Sequence, residues 1–284
     1  MLQEIYDRNR NNINSELSIE ELKLIYIDCF DLDDHDYYIS TLIRENRDNY
    51  LDLQKLFGKE HVACTINELN EDTICYVDNL IIINKLPTYN LKYIYGNLTY
   101  VPFDEIYNIE NLEIIYGDAN FDNIYNANGL ENLRIIEGDA YLIFLNNAED
   151  FISLTKVYGD INLPNLESSK GLDSLEFVGS DAILPRLMEA NHLTNLTRVN
   201  GNLLLNCITD SKGLEKLEYV EKKAYFNNLL DPSGLISLNS IGDIDCRKLM
   251  DKNFYNRVKS VGSRIIFDTY TNELKKGDVL CLKK

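Results

Sequence analysis

Apolar residues return at the same places in every block of twenty-one residues along the middle of this chain. Counting starts at Gly96 and steps to Gly117, Gly138, Gly159, Ser180, Gly201 and Lys222; one residue is then lost, and the register resumes at Gly242. Two places after each landing point stand Leu98, Ala119, Ala140, Ile161, Ala182, Leu203, Ala224 and Ile244. Four places after stand Tyr100, Phe121, Leu142, Leu163, Leu184, Leu205, Phe226 and Cys246. Apolar residues two apart predict a short β-strand with one buried face. The seventh, sixteenth and nineteenth positions are large and apolar in all eight units, from Phe103, Leu112 and Ile115 in the first to Leu249, Val258 and Val261 in the last.

One such unit buries too few side chains to offset the entropy of ordering its own backbone. The pattern therefore predicts a coil in which each unit makes one turn and its strand pairs in parallel with the next unit's strand. Like residues then stack in columns about 4.8 Å apart. The phrases "GLENLRIIEGDAYL" and "GLEKLEYVEKKAYF" resemble the leucine-rich repeat, in the bacterial and receptor-L-domain-like branch of that superfamily. The resemblance spans about residues 77–267, with an asparagine ladder only at Asn123, Asn165 and Asn228. It implies protein recognition on a scaffold.

The non-repeating ends complete the expected plan. "SIEELKLIYIDCF" opens with a capping box, Ser18 and Glu21, and spaces Ile19, Leu22, Ile25, Tyr26 and Cys29 as a helix does. A second helical stretch runs through "YYISTLIRENRDNYLDLQKLF" and stops at Gly58. Helices here can cover the open edge of a coil or form a separate interaction module. The expected fold is thus mainly β: a parallel-strand solenoid of leucine-rich-repeat type with an α-helical N-terminal cap. The cap covers 1–65, the solenoid 66–270, and a C-terminal cap or tail 271–284.

Charge narrows the class of partner. The net charge of −18 divides into −7 over residues 1–60, −17 over 61–246 and +6 over 247–284. Such a surface repels phosphate backbones and anionic lipid, so direct nucleic-acid or membrane binding is not expected, while a basic protein partner is favoured. No secretory signal or membrane-length apolar run is visible, which predicts a cytoplasmic protein. The six cysteines form no C-x-x-C pair and are expected as free thiols.

Motifs for chemistry are few. "DLDDHD" at residues 31–36 fails as an EF-hand loop, because its sixth position is Asp36 and its twelfth Leu42. It reads as a solvated turn. His61 and Cys64 in "HVAC" could be a base and nucleophile, but nothing in the sequence orients them. The first position of each unit reads Asn97, Asp118, Asp139, Asp160, Asp181, Asn202, Lys223 and Asp243. Stacked carboxylates could form a cation-binding edge, or each could accept backbone N–H bonds from its own turn. The turn-bonding reading is preferred, so neither metal nor cofactor is expected, and the protein is not expected to be an enzyme.

The expected function is a non-enzymatic scaffold that binds another protein through one face. The alternative is an acidic inhibitor that blocks the basic groove of a nucleic-acid-processing enzyme. Two outward surfaces are legible. Beside the nineteenth-position ladder lies an aromatic margin: Tyr93, Tyr95, Tyr116, Tyr158, Phe177 and Tyr219, with Ile114 and Ile135 among them. The other is the outward face of the first strand, carrying Tyr141, Ile183, Leu204 and Tyr225. Exposed aromatic rows are what protein interfaces use as anchors.

Overall fold

Residues twenty-one apart lie side by side in the computed structural model, as in Ile161 against both Ala140 and Ala182. The structure describes residues 57–82, 90–102 and 109–249, together with positions 54, 251, 253, 254 and 264–266. The expected helices before residue 54, the acidic "DLDDHD" stretch, Phe103, Val258, Val261 and the 271–284 tail lie outside the described residues. Among the described residues α-helix is confined to Gln54, Phe57, Asn253 and Phe254, beside two short 3-10 turns.

The architecture is a parallel β-solenoid built on two ladders. The first ladder takes positions eighteen and nineteen of each unit, as Ile114–Ile115, Ile135–Ile136, Lys156–Val157, Phe177–Val178 and Arg198–Val199. The second takes positions two and three, as Ala119–Asn120, Ala140–Tyr141, Ile161–Asn162, Ala182–Ile183 and Leu203–Leu204. All pairings are parallel, and these central strands each pair with the residue twenty-one places on. The first ladder already includes Val62–Ala63 against Cys75–Tyr76, inside the stretch expected to be the cap.

The lost residue has a visible consequence. Tyr219–Tyr225 and Ser240–Asp245 each run through both ladders as one strand. Their pairing shifts between Val220 and Lys223, so that Tyr219 faces Ser240 while Lys223 faces Asp243. Here Glu221 and Lys222 stand where other turns have a glycine corner.

Every described residue of the five apolar columns is buried. Two further columns complete the core: Ala127, Ala148, Ser169, Ala190 and Ser211 at the tenth position, and Leu130, Phe151, Leu172, Leu193 and Leu214 at the thirteenth. Their spacing has a local cause. The amide of Phe151 donates to Ala148 O at 2.9 Å, that of Leu154 to Phe151 O at 3.2 Å, and that of Leu145 to Leu142 O at 3.1 Å. Each is an i to i+3 turn, which brings residues three apart to the same side of the chain. Apolar residues therefore recur at positions four, seven, ten, thirteen, sixteen and nineteen, and all point inward. Ser169 and Ser211 are tolerated inside because their hydroxyls accept the His192 and Gly234 amides at 3.1 and 2.9 Å.

Leu175 is 1% exposed and stacks with Leu154 and Leu196 in the sixteenth-position column. Leu175→Asp places an unpaired carboxylate there and is expected to cost several kcal/mol, on the order of 4. Chemical denaturation checks this; a wild-type midpoint would refute the register.

Candidate partner-binding site

The corner between the two ladders carries the column at position one. Its side chains are bonded in series along the coil. Asp139 N–H donates to Asp118 Oδ1 at 2.9 Å, Asp160 N–H to Asp139 Oδ1 at 2.7 Å, and Asp181 N–H to Asp160 Oδ1 at 2.8 Å. Asn97 and Asn202 continue the series, accepting from Asp118 and donating to Asp181 at 2.8 and 2.7 Å. The expectation that each aspartate bonds its own turn is corrected in one respect: the donor is the next turn's amide. A flexible side chain reaching forward one rung saturates a corner amide that neither ladder bonds, so stacking makes the neighbour's donor the nearer one.

This bond explains the corner glycine. None of the corner glycines from Gly96 to Gly201 has a positive φ. A Cβ at Gly138 or Gly159 would instead collide with Oδ1 of the preceding turn's Asp118 or Asp139 and with nearby backbone. At those corners the glycine leaves room for the acceptor, while the Asp160 bond forms at a corner that holds Ser180 instead. The second carboxylate oxygens have varied surroundings. Asp139 Oδ2 accepts Tyr141 Oη at 2.8 Å, and this bond chiefly, with partial desolvation and the charges of Asp139, Asp118 and Asp160, pushes the Tyr141 phenol up to about 12. Asp181 meets the Asn202 amide, with Lys222 Nζ 3.8 Å away. Among the described residues, Asp118, Asp139 and Asp160 have no ion-pair partner.

On the same face, two residues further along each strand, stand the half-buried Tyr141, Ile183, Leu204 and Tyr225. Position five adds Ile143, Pro164 and Pro185, also half-buried, so apolar atoms run across successive turns beside the acidic column. Phe144 is 47% exposed and pairs with Tyr125 at 6.3 Å between ring centroids. Sequence reasoning missed these two; the signal was Phe144 where the neighbouring turns hold Asn123, Asn165 and Arg186. The C-terminal end of the face is charge-compensated. Asp245, only 1% exposed, is held by Arg247 Nε at 3.0 Å and Lys223 Nζ at 3.4 Å, and Lys223 lies 4.1 Å over the Tyr225 ring.

The aromatic margin of the first ladder differs from expectation. Tyr95 and Tyr116 stack at 4.3 Å and are 4% and 7% exposed, so they offer a partner almost no area. Ile114 and Ile135 are buried with them, in a second apolar cluster that includes Val62 and Cys75. Phe57, Val77, Tyr93 and Tyr158 pack against this cluster, and Phe57 stacks on Tyr93 at 5.7 Å. Outward pointing did not mean exposed here, because large side chains on neighbouring turns close over one another. Tyr158, Phe177 and Tyr219 remain half-buried; Arg198 lies 4.5 Å over the Tyr219 ring.

The remaining chemistry-bearing residues are engaged locally. His61 Nδ1 lies 2.7 Å from Asp72 O, and the Cys64 thiol donates to Glu68 Oε2 at 3.3 Å. These bonds join each side chain to a neighbour other than its fellow in the motif. Cys64, Cys75, Cys207 and Cys246 are free thiols. Burial pushes Cys75 well up, and burial with the nearby Asp245 charge pushes Cys246 up to about 12, which keeps both as unreactive thiols. Among the described residues no cluster of His, Cys, Asp and Glu is arranged to hold a metal, and no helix is long and apolar enough to cross a membrane. No protein-family model, curated protein or solved structure matches the chain.

Asp160 separates the roles of acceptor and charge. Asp160→Asn keeps an oxygen for the Asp181 amide, as Asn97 does for Asp118, and is expected to leave stability within about 0.5 kcal/mol. Asp160→Ala orphans that amide and is expected to cost about 1–3 kcal/mol. Urea denaturation of both variants reads the difference; equal midpoints would show that the side-chain bond contributes nothing.

Proposed function

We propose that the protein is a non-enzymatic binding scaffold, a leucine-rich-repeat-like solenoid that engages a partner protein through the outward face of its second ladder. The observation that carries this reading is the half-buried strip of Tyr141, Ile143, Ile183, Leu204 and Tyr225 on a rigid stack of turns. Rigid, aligned apolar side chains lose little entropy on binding, which is the property interface anchors need. The overall charge of −18 favours a basic protein and disfavours direct contact with nucleic acid or anionic membrane. The half-exposed end of the first ladder, Tyr158, Phe177 and Tyr219, is the second candidate face.

The acidic-inhibitor reading draws on the same carboxylate column and differs in its salt dependence. An apolar interface holds its affinity as ionic strength rises, whereas a mimic of a charged ligand loses it steeply.

The test compares the immobilised full chain with two variants in an extract of the source cells. One variant carries serine at Tyr141, Ile183, Leu204 and Tyr225, the other serine at Tyr158, Phe177 and Tyr219. The first is expected to lose the proteins that the wild type retains, with an unchanged β circular-dichroism signal. Loss only in the second variant would move the site to the first ladder. Retention by both would place the site off the solenoid faces.

A further inference from the structure

The acidic column contains more charge than its structural task requires. In that column Asn97 accepts the next turn's amide at 2.8 Å, as Asp118, Asp139, Asp160 and Asp181 do at 2.7 to 2.9 Å. A neutral amide thus performs the corner bond. Four consecutive turns nevertheless hold carboxylates, stacked at the rung spacing of about 4.8 Å where like charges repel. Nothing basic meets Asp118, Asp139 or Asp160 among the described residues. Asparagine at all four positions would relieve the repulsion and keep the ladder.

The charge lies along one side of the apolar strip. Asp139 bonds Tyr141 through its hydroxyl, which fixes acid and aromatic on one face. Across the strip from the acids, position five presents Asp122 on the first acidic turn and then Ile143, Pro164 and Pro185, so charge there does not continue as a second row. The face is therefore asymmetric: a continuous anionic edge, a middle that alternates Asn120, Tyr141, Asn162 and Ile183, and a far side that is apolar from Ile143 to Pro185. Its length direction repeats about every 4.8 Å. An α-helix laid along it repeats its side chains about every 5.4 Å, whereas an extended strand repeats a face only about every 6.7 Å. Over the few turns of the strip, the helix stays closer to register.

Taking the second-ladder face as the partner site, we infer that its occupant is a cationic amphipathic helix. The helix lays its apolar stripe on Tyr141, Ile183 and Leu204 and one row of lysines or arginines against Asp118, Asp139, Asp160 and Asp181. The carboxylates supply orientation and association rate; the strip supplies the buried area.

The test uses the full chain and a synthetic helical peptide of leucine and lysine about fourteen residues long, with a leucine and glutamate peptide of the same pattern as control. Binding is followed by fluorescence anisotropy. The lysine peptide is expected to bind and the glutamate peptide not to. The variant with asparagine at Asp118, Asp139, Asp160 and Asp181 is expected to bind the lysine peptide at least about tenfold more weakly, with a native circular-dichroism spectrum. A second variant removes the same number of charges elsewhere, with glutamine at the exposed Glu71, Glu176, Glu218 and Glu221. It is expected to bind as the wild type does.

Equal weakening of both variants would reduce the effect to net charge and overturn the inference. So would unchanged binding in the asparagine variant, or no binding of the lysine peptide to the wild type. None of these would touch the scaffold reading, which stands on the serine variants in cell extract. Should the asparagine variant misfold, the single change Asp139→Asn is expected to weaken the peptide in the same direction, and its failure to do so overturns the inference equally. Lysine-peptide binding that survives serine at Tyr141, Ile183, Leu204 and Tyr225 would likewise overturn the inference and leave the scaffold reading to the cell-extract assay.

Discussion

Each turn of this protein is completed by the next one. The backbone of a single turn closes its own bends through i to i+3 bonds, but its strand and corner amides have partners only on neighbouring turns. Ile161 N–H goes to Asp181 O, Leu163 N–H to Ile183 O, and Asp160 N–H to the Asp139 side chain. Buried or half-buried amides without partners cost about 1–3 kcal/mol each, so no turn is stable alone and every turn is specified by the register of those beside it. The corner bond shows how strict the register is. A charged acceptor contributes about 1.5–3 kcal/mol, while two carboxylates about 4.8 Å apart repel by about 1 kcal/mol in bulk water and about 3–4 kcal/mol at the effective dielectric of a protein surface. Bond and repulsion are thus of similar size, and the ladders on either side hold the column in place.

The fold was legible because a parallel stack converts sequence period directly into contact. The columns that run through Leu175 and Val178, and the slip after Lys222, lie where counting by twenty-one puts them. The tenth-position column was harder to read. Small residues such as Ala148, Ala190 and Ser211 fill it, and smallness in a sequence does not announce burial. The thirteenth-position leucines stood in the quoted phrases, but their inward direction depends on turns that alternation does not predict.

The functional surface was only half legible for a physical reason. Alternation tells which way a side chain points and says nothing of what lies against it. Tyr141 and Tyr95 both point outward from a ladder. The first is half-exposed beside an acid; the second is stacked on Tyr116 and 4% exposed. The aspartate column was visible, but its donor was not, because a forward reach of one turn depends on stacking geometry.

The central claim is that side chains at the corner bond one turn to the next between the two ladders. Amide hydrogen exchange on the intact chain tests it most directly. The amides of Asp118, Asp139, Asp160, Asp181 and Asn202 sit at a half-exposed corner, bonded to side chains alone. The account predicts that they exchange as slowly as those of Ala140, Ile161 and Ala182 in the adjoining ladder, opening only when turns separate. Fast exchange at these five amides, with the ladder amides still protected, would contradict it.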